Sequence, residues 1–338
     1  MQIGPREIVT PFRPIPLDVP EGMVEVRISK DSGARTRAKG KNTLEFNRYD
    51  TRSTEWIAQP NVPEGPSRKR VKGGTDLLWI PNVHGEAGQV YMLKGYRTEF
   101  WRFSPEDQAW YQLANAPVGI KYKWDKGSWI VHDGENTIYA HKAKYYDRAR
   151  YVHEFYKYDI AGDSWSTLAG MPLYGLHSGR IKKKKAKDGG AGAWYNDQIY
   201  ALKGGNTQQF FGYDIAADTW TEMDTVPNYS PTTGRKRRVK YGADLVSWGG
   251  GAFFALKGNK TNEFWRYVTW PVPEARPDRS GVMGGRTGQV PVGLTCAPNP
   301  LAGGGPQMAS IIATPLFHVT ANNCLAQTAT IAGGKLVH

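Results

Sequence analysis

Cysteine is nearly absent from this chain: 338 residues hold two, Cys296 and Cys324, both near the C-terminal end. No Cys-x-x-Cys spacing occurs, so a thiolate metal site is not expected. Long apolar runs are missing too, and none approaches the roughly 18 residues that a membrane-spanning helix takes. Met1 to Pro20 has neither a basic cluster nor the apolar core of about 7 to 15 residues that marks an export signal. The expectation is either that the protein stays inside or that this is the form left after processing. The seven histidines, at 84, 132, 141, 153, 177, 318 and 338, show no zinc-like helical spacing. No phosphate-binding glycine loop, Gly-x-Ser-x-Gly elbow or calcium loop is found. These absences predict a protein that is not an enzyme, with no catalytic residue, no metal and no cofactor.

What is present is repetition. A frame of Phe-x-x-Tyr-Asp, followed six residues later by Trp, begins at Phe46, Phe100, Phe155, Phe210 and Phe264, at intervals of 54 or 55 residues. Its tryptophans are Trp56, Trp110, Trp165 and Trp220; the fifth copy breaks off where Val268 stands in place of Asp. Such a period is too long for ankyrin or tetratricopeptide units and marks an array of modules. Each module holds an apolar run ending in Lys, such as Val90–Gly95, Ile199–Gly204 and Phe253–Gly258, then a polar turn and the aromatic strand. A second turn and a short segment with Trp follow, ending near Pro60, Pro117, Pro172 or Pro227. The next module opens with a basic strand and a Gly. Four short strands per repeat joined by tight turns predict a β-propeller blade.

Apolar strand, Gly, polar turn, Tyr-Asp and a following Trp resemble the Kelch blade pattern, with Lys-Gly here where Kelch repeats usually have Gly-Gly. The resemblance covers about residues 20 to 270 and implies an all-β, five-bladed Kelch-like propeller of four-stranded blades over 21–270. Kelch-like folds serve as adaptors, binding platforms and a few enzymes, so function does not follow from the fold. Copper oxidases of that kind would need a Cys in the propeller, and none is there. Pro271, Pro273 and Pro277 interrupt the outer strand of the fifth blade, since proline is poorly tolerated in a paired strand. The N-terminal arm, residues 1–20, is expected to supply that strand through Arg6–Phe12 and close the ring.

Residues 271–290 turn to Pro, Gly and Arg and read as a linker. The segment Val292–Leu301, with Asn299-Pro300 after a short apolar strand, resembles the opening of bacterial type IX secretion sorting tails. Leu316–Thr320 and Gly334–Val337 are candidate later strands in a C-terminal β tail over 291–338. That tail is shorter than a sandwich of about 100 residues, so it is expected either to be completed by another chain or to fold back on its own propeller. Cys296 and Cys324 enclose 27 residues. They form either a disulfide worth about 3 kcal/mol in an oxidising compartment or two buried thiols.

Charge is the second signal, with 44 Lys and Arg against 31 Asp and Glu, a net +13. The excess is clustered in Arg68, Lys69, Arg70 and Lys72; in Lys121 and Lys123; in Lys182, Lys183, Lys184, Lys185 and Lys187; and in Arg235, Lys236, Arg237, Arg238 and Lys240. All precede an innermost strand, so a closed propeller would gather them round the channel mouth and focus positive potential there. The partner this implies is an anionic polysaccharide or surface; the alternative is a solvated face that keeps the protein soluble. Aromatics recur at blade-core positions rather than among the basic residues, so no sequence-specific nucleic acid is expected. Lys39, Lys94, Lys142, Lys203 and Lys257 recur at the end of the second strand, and Glu45, Glu99, Glu154, Gln209 and Glu263 just before the frame Phe, as cross-strand pairs with an architectural role. His132-Asp133 and the insertion Tyr145 to His153 read as loop decoration on blade three.

The expected function is a non-catalytic extracellular or cell-surface structural protein that self-associates into an oligomer or polymer through its terminal segments and shows a basic face to anionic glycan. The alternative is a secreted carbohydrate-active enzyme or lectin acting on acidic polysaccharide.

Overall fold

A computed structural model describes residues 43–50, 55–81, 88–231 and 233–269, with strand backbone at 13–14, 34–38, 288–291, 309–312, 318–321, 328–332 and 335–337. No helix occurs among the described residues. The chain divides into two compact units, Met1–Val272 and Pro273–His338.

The first unit is an all-β propeller arrangement with four four-stranded antiparallel blades, not five. Repeat two builds Asp76–Ile80, Gln89–Leu93, Phe100–Ser104 and Ala109–Gln112. Repeat three builds Trp129–His132, Thr137–Asp147, Val152–Asp159 and Ser164–Leu168. Repeat four builds Ala191–Tyr195, Gln198–Leu202, Phe210–Asp214 and Thr219–Glu222. Repeat five supplies Asp244–Gly249, Ala252–Leu256 and Phe264–Val268, and its fourth strand is Arg13–Pro14. Repeat one forms a three-stranded sheet of Ala34–Ala38, Phe46–Asp50 and Glu55–Gln59.

The N-terminal arm pairs with the last repeat at Arg13↔Arg266 and Pro14↔Trp265. The pairing lies just beyond the expected Arg6–Phe12, a segment outside the described residues. Proline fits there because an outermost strand leaves one edge unpaired.

The Phe-x-x-Tyr-Asp…Trp frame is a device for joining blades. Phe100 sits edge-on to Tyr158 and Trp165 of the next repeat, at 5.0 and 5.1 Å between ring centres. Phe155 meets Tyr213 and Trp220 at 4.8 and 5.0 Å, and Phe46 meets Phe103 and Trp110 at 5.0 and 4.9 Å. Phe210 meets Tyr267 at 4.9 Å. Each of these phenylalanines is fully buried, so every wedge stabilises two blades at once. The indole N–H groups of Trp110, Trp165 and Trp220 donate to the carbonyls of Pro60, Ala114 and Ala169 in the preceding repeat, at 3.0, 2.9 and 2.7 Å. Asp163 and Asp218 accept from Ala114 N and Ala169 N, both at 2.8 Å, and from the Tyr158 and Tyr213 hydroxyls of their own blades, both at 2.6 Å.

The repeated lysines complete the join. Lys94 Nζ is buried and reaches Glu99 at 2.9 Å, Pro63 O at 2.8 Å and Glu64 O at 2.7 Å. Lys142 lies 3.5 Å from Glu154 and Lys257 2.6 Å from Glu263, whereas Lys203 donates to Pro172 O and Leu173 O at 2.7 and 2.9 Å. The cross-strand pair is therefore present in repeats two, three and five; Lys39 of repeat one lies outside the described residues.

The insertion at Tyr145–His153 is an extension of the hairpin, strand at 145–147 and 152–153 around a turn at 148–151. The hairpin of repeat three runs on through a bulge between Lys142 and Tyr146, with Tyr146 opposite His153 and Asp147 opposite Val152. The Asp147 carboxylate accepts from Ala149 N and Arg150 N at its tip, at 2.7 and 3.1 Å.

The second unit holds a three-stranded sheet of Gly288–Pro291, Thr328–Ala332 and Lys335–Val337, and a hairpin of Ala309–Ile312 with His318–Ala321. Its first strand overlaps the end of the expected linker at 271–290, because Gln289 and Val290 pair with Thr330 and Ala329. Cys296 and Cys324 lie outside the described residues.

Candidate functional site

The segments leading into each inner strand share one construction. Val71, Trp124, Ala186 and Val239 are fully buried, while most cations on either side of them face solvent. Each segment is stitched to the connection between the second and third strands of the preceding repeat, or in repeat three to the bulge of its second strand: Val71 N to Thr43 O, Tyr96 N to Trp124 O, Lys144 N to Ala186 O, and Val239 N to Thr207 O. A single buried anchor flanked by polar residues is what a strand-like segment on a surface requires. The basic runs and these loops therefore lie side by side.

The segments end in a tight turn closed by Thr75 N to Lys72 O, Ser128 N to Asp125 O, Gly190 N to Lys187 O and Ala243 N to Lys240 O. Gly74, Gly127, Gly189 and Gly242 follow with φ between 75° and 93°. In the left-handed region glycine is the least strained residue. Space demands it as well: a Cβ on Gly127 or Gly189 would lie 2.0 Å from Lys187 O or Lys240 O of the next turn. These turns line a central cavity of about 460 Å³.

Three carboxylates line that cavity: Asp188, just before the turn glycine of repeat four, and Asp76 and Asp244, in positions that Trp129 and Ala191 fill in repeats three and four. Burial, with the Asp244 charge adding to it, pushes the Asp76 carboxyl up to about 7. Asp244 is open to the cavity, and the surrounding protein, by displacing bulk water, raises its carboxyl as well. Asp76 accepts from Leu77 N at 3.0 Å and from Ile130 N of the neighbouring inner strand at 2.9 Å; Asp244 accepts from Leu245 N at 2.9 Å. Asp76 thus ties one inner strand to the next. Among the described residues no group of three or more His, Cys, Asp and Glu side chains is arranged to hold a metal ion.

Arg68, Lys69, Arg70 and Lys72 are exposed in the segment leading into repeat two, and Lys121 and part-buried Lys123 in the one leading into repeat three. Of the clustered cations only Arg70 has an ion-pair partner among the described residues, Glu64 at 3.6 Å. The segment leading into repeat four has more structure than its sequence suggested. Tyr174–His177 and Arg180–Lys183 form a β-hairpin around Ser178-Gly179, both with positive φ as a two-residue turn needs. That hairpin brings Lys182 and Lys184 together with Lys236 and Arg238 of the next segment, all four bearing electrostatically on His177. Burial, then these four cations led by Arg238, pushes the His177 imidazole down to about 4.

Tyrosines are interleaved with these cations, contrary to the sequence expectation. Lys183 Nζ lies 4.4 Å from the ring centre of Tyr151 and 5.0 Å from that of Tyr146, and Lys185 lies 4.9 Å from Tyr146. Lys123 faces Tyr96, Arg97 faces Tyr122, Lys236 faces Tyr229 and Lys240 faces Tyr241, at 5.2 to 5.7 Å. Tyr122, Tyr174 and Tyr229 are about half exposed, at 49, 46 and 59%. The dipeptides Lys121-Tyr122 and Lys240-Tyr241 carry this signal in the sequence. The repeat-three hairpin carries Tyr146 and Tyr151, and no spacing rule would place them beside Lys183, some thirty residues on.

No protein-family model matches the chain, and no curated protein is similar to it. Among solved structures, that of YjhT is similar with a TM-score of 0.40 and 14% sequence identity, over 67% of this chain and 69% of its own. A likeness at that level carries no argument about what this chain binds or does.

Proposed function

We propose that this chain is a non-catalytic, extracellular β-propeller of Kelch-like repeats that binds an acidic polysaccharide on the face formed by the segments leading into its inner strands. On the same reading its tail belongs to the type IX sorting kind, and its terminal segments join it to further copies. One observation carries the binding proposal: unneutralised cations and half-exposed tyrosines share one face, built by the same construction in successive repeats. Lysines and arginines neutralise the carboxylate or sulfate groups of a glycan, and tyrosine rings pack against its sugar faces. Repetition suits a polymer, because each repeat offers a similar contact at a fixed interval.

The test is binding of the full chain to an immobilised acidic polysaccharide across a range of salt. Affinity should fall linearly with salt on logarithmic axes, as it does when a polyanion releases counterions. Substituting Lys182, Lys183, Lys236 and Arg237 together by Ala should weaken binding by about ten-fold or more at low salt. Unchanged binding by that variant, or tighter binding of single-stranded DNA than of the polysaccharide, would overturn the proposal.

A further inference from the structure

The geometry points to a discrete oxyanion subsite between the Tyr174–Lys183 hairpin and the linked pair Asn228 and Arg238, where Arg238, Lys184 and His177 hold one sulfate, phosphate or carboxylate group. The inference rests on the reading of this face as an anion-binding surface and assigns its centre.

His177 points inward from the hairpin and is only 5% exposed, yet its Nδ1 has no hydrogen-bond partner among the described residues. A buried polar atom without a partner is destabilising, and beside a cluster of cations a bound anion is the group that would satisfy it. The Arg238 guanidinium is fixed beside it by neutral acceptors, with Nη2 donating to Ser178 Oγ at 2.6 Å and Nε to Asn228 Oδ1 at 3.0 Å. Ser178 N in turn donates to Gln208 Oε1 at 3.4 Å, and Gln208 Nε2 to Thr225 Oγ1 at 3.0 Å. These contacts leave Nη1 of Arg238 without a partner among the described residues. A guanidinium held in place by uncharged groups keeps its full charge and its planar fork for an oxyanion.

Lys182, Lys184 and Lys236 complete the cluster, and none has a carboxylate within ion-pair distance among the described residues. Four like charges round one buried imidazole repel one another, and a bound oxyanion removes that repulsion. It also reverses the electrostatic sense at His177, so that a proton on the ring becomes an added donor to the anion.

The experiment titrates inorganic sulfate, phosphate and acetate into the full chain while following the His177 ring by NMR. The expected result is saturable binding, with a rise of the His177 pKa towards its ordinary value of about 6.5. Arg238→Ala should weaken sulfate binding about ten- to hundred-fold, as loss of a charge-assisted hydrogen bond implies, and Arg238→Lys should recover part of it. Where Arg238→Ala fails to fold, Lys184→Gln serves, since its side chain makes no bond among the described residues; it should weaken binding by a smaller factor. Lys157→Ala, exposed on the third strand of repeat three and outside the basic runs, should bind sulfate as the parent does. A His177 signal indifferent to all three anions, or an Arg238→Ala protein that binds sulfate normally, overturns the subsite. Polysaccharide binding that survives Arg238→Ala would then leave the wider basic face standing without it. Sulfate binding at His177 with no polysaccharide binding would sink the function proposed above and keep the subsite.

Discussion

Repeats two and four carry the same buried lysine in different company. Lys94 holds two carbonyls of the preceding connector, Pro63 O and Glu64 O, and faces Glu99 across its hairpin. Lys203 holds the matching carbonyls, Pro172 O and Leu173 O, but faces Gln209, whose side-chain amide has no hydrogen-bond partner among the described residues. The second task of Glu99, accepting from Ser67 N at 2.8 Å, passes to Glu222 of another strand, which accepts from Leu176 N at 2.7 Å. What both repeats keep is the cation between two backbone carbonyls. The lysine acts first as a staple between blades, and the carboxylate is an adjustable neighbour.

The sharpest way to break that comparison is to remove the neighbour. Glu99→Leu leaves Lys94 buried without a countercharge and should cost about 3–5 kcal/mol, as breaking a buried pair usually does. Gln209→Leu removes only an unpartnered amide and should cost about 1 kcal/mol or less. Urea denaturation of the two variants measures both. Equal losses would mean that Lys203 depends on Gln209 in a way its geometry does not show.

Repeat four also shows which parts of the fold and site could be read in advance. The Phe, Tyr and Trp frame was legible because it recurs, but its meaning lay between repeats: Phe155 packs on Tyr213 and Trp220, more than fifty residues away. Five copies of the frame suggested five alike blades, yet blade count depends on strands outside the frame. Repeat one forms three strands and the last blade takes its fourth from Arg13–Pro14. The basic runs were equally plain in the sequence. The hairpin they belong to was not, because Tyr174, Leu176 and Ile181 are exposed, so apolar residues there do not report burial. His177 and Arg238 meet only through the folded connectors, and residues 61 positions apart have no periodicity to announce them.

The pH dependence of stability sharpens the comparison at Lys203 itself. Burial pushes its ammonium down to about 7, with the Glu222 charge opposing. An unfolded lysine titrates near 10.4, so between about pH 7 and 10 the unfolded chain binds more protons than the folded one. Stability attributable to this group must therefore rise with pH through that window, by an amount on the order of a few kcal/mol. Lys203→Met should flatten the rise. A Lys203→Met protein with the parent's slope would place the titration elsewhere and would return the staple to an ordinary buried ammonium.

The smallest expected effect concerns the tryptophan of repeat one. Trp165 is wedged against Phe100 of the preceding repeat and donates to Ala114 O. Trp56 occupies the same place in its frame and keeps its own tyrosine, Tyr49, at 5.1 Å, but it is 54% exposed. If the frame joins blades rather than building them, its energy belongs to the wedge, and a tryptophan without one has little to lose. Trp56→Ala should cost about 1 kcal/mol or less by thermal or urea unfolding, whereas truncating a fully wedged large aromatic costs about 3–5 kcal/mol. A loss at Trp56 as large as the wedged value would show that a second surface covers it in solution, and the N-terminal arm or another copy of the chain would be the first place to look.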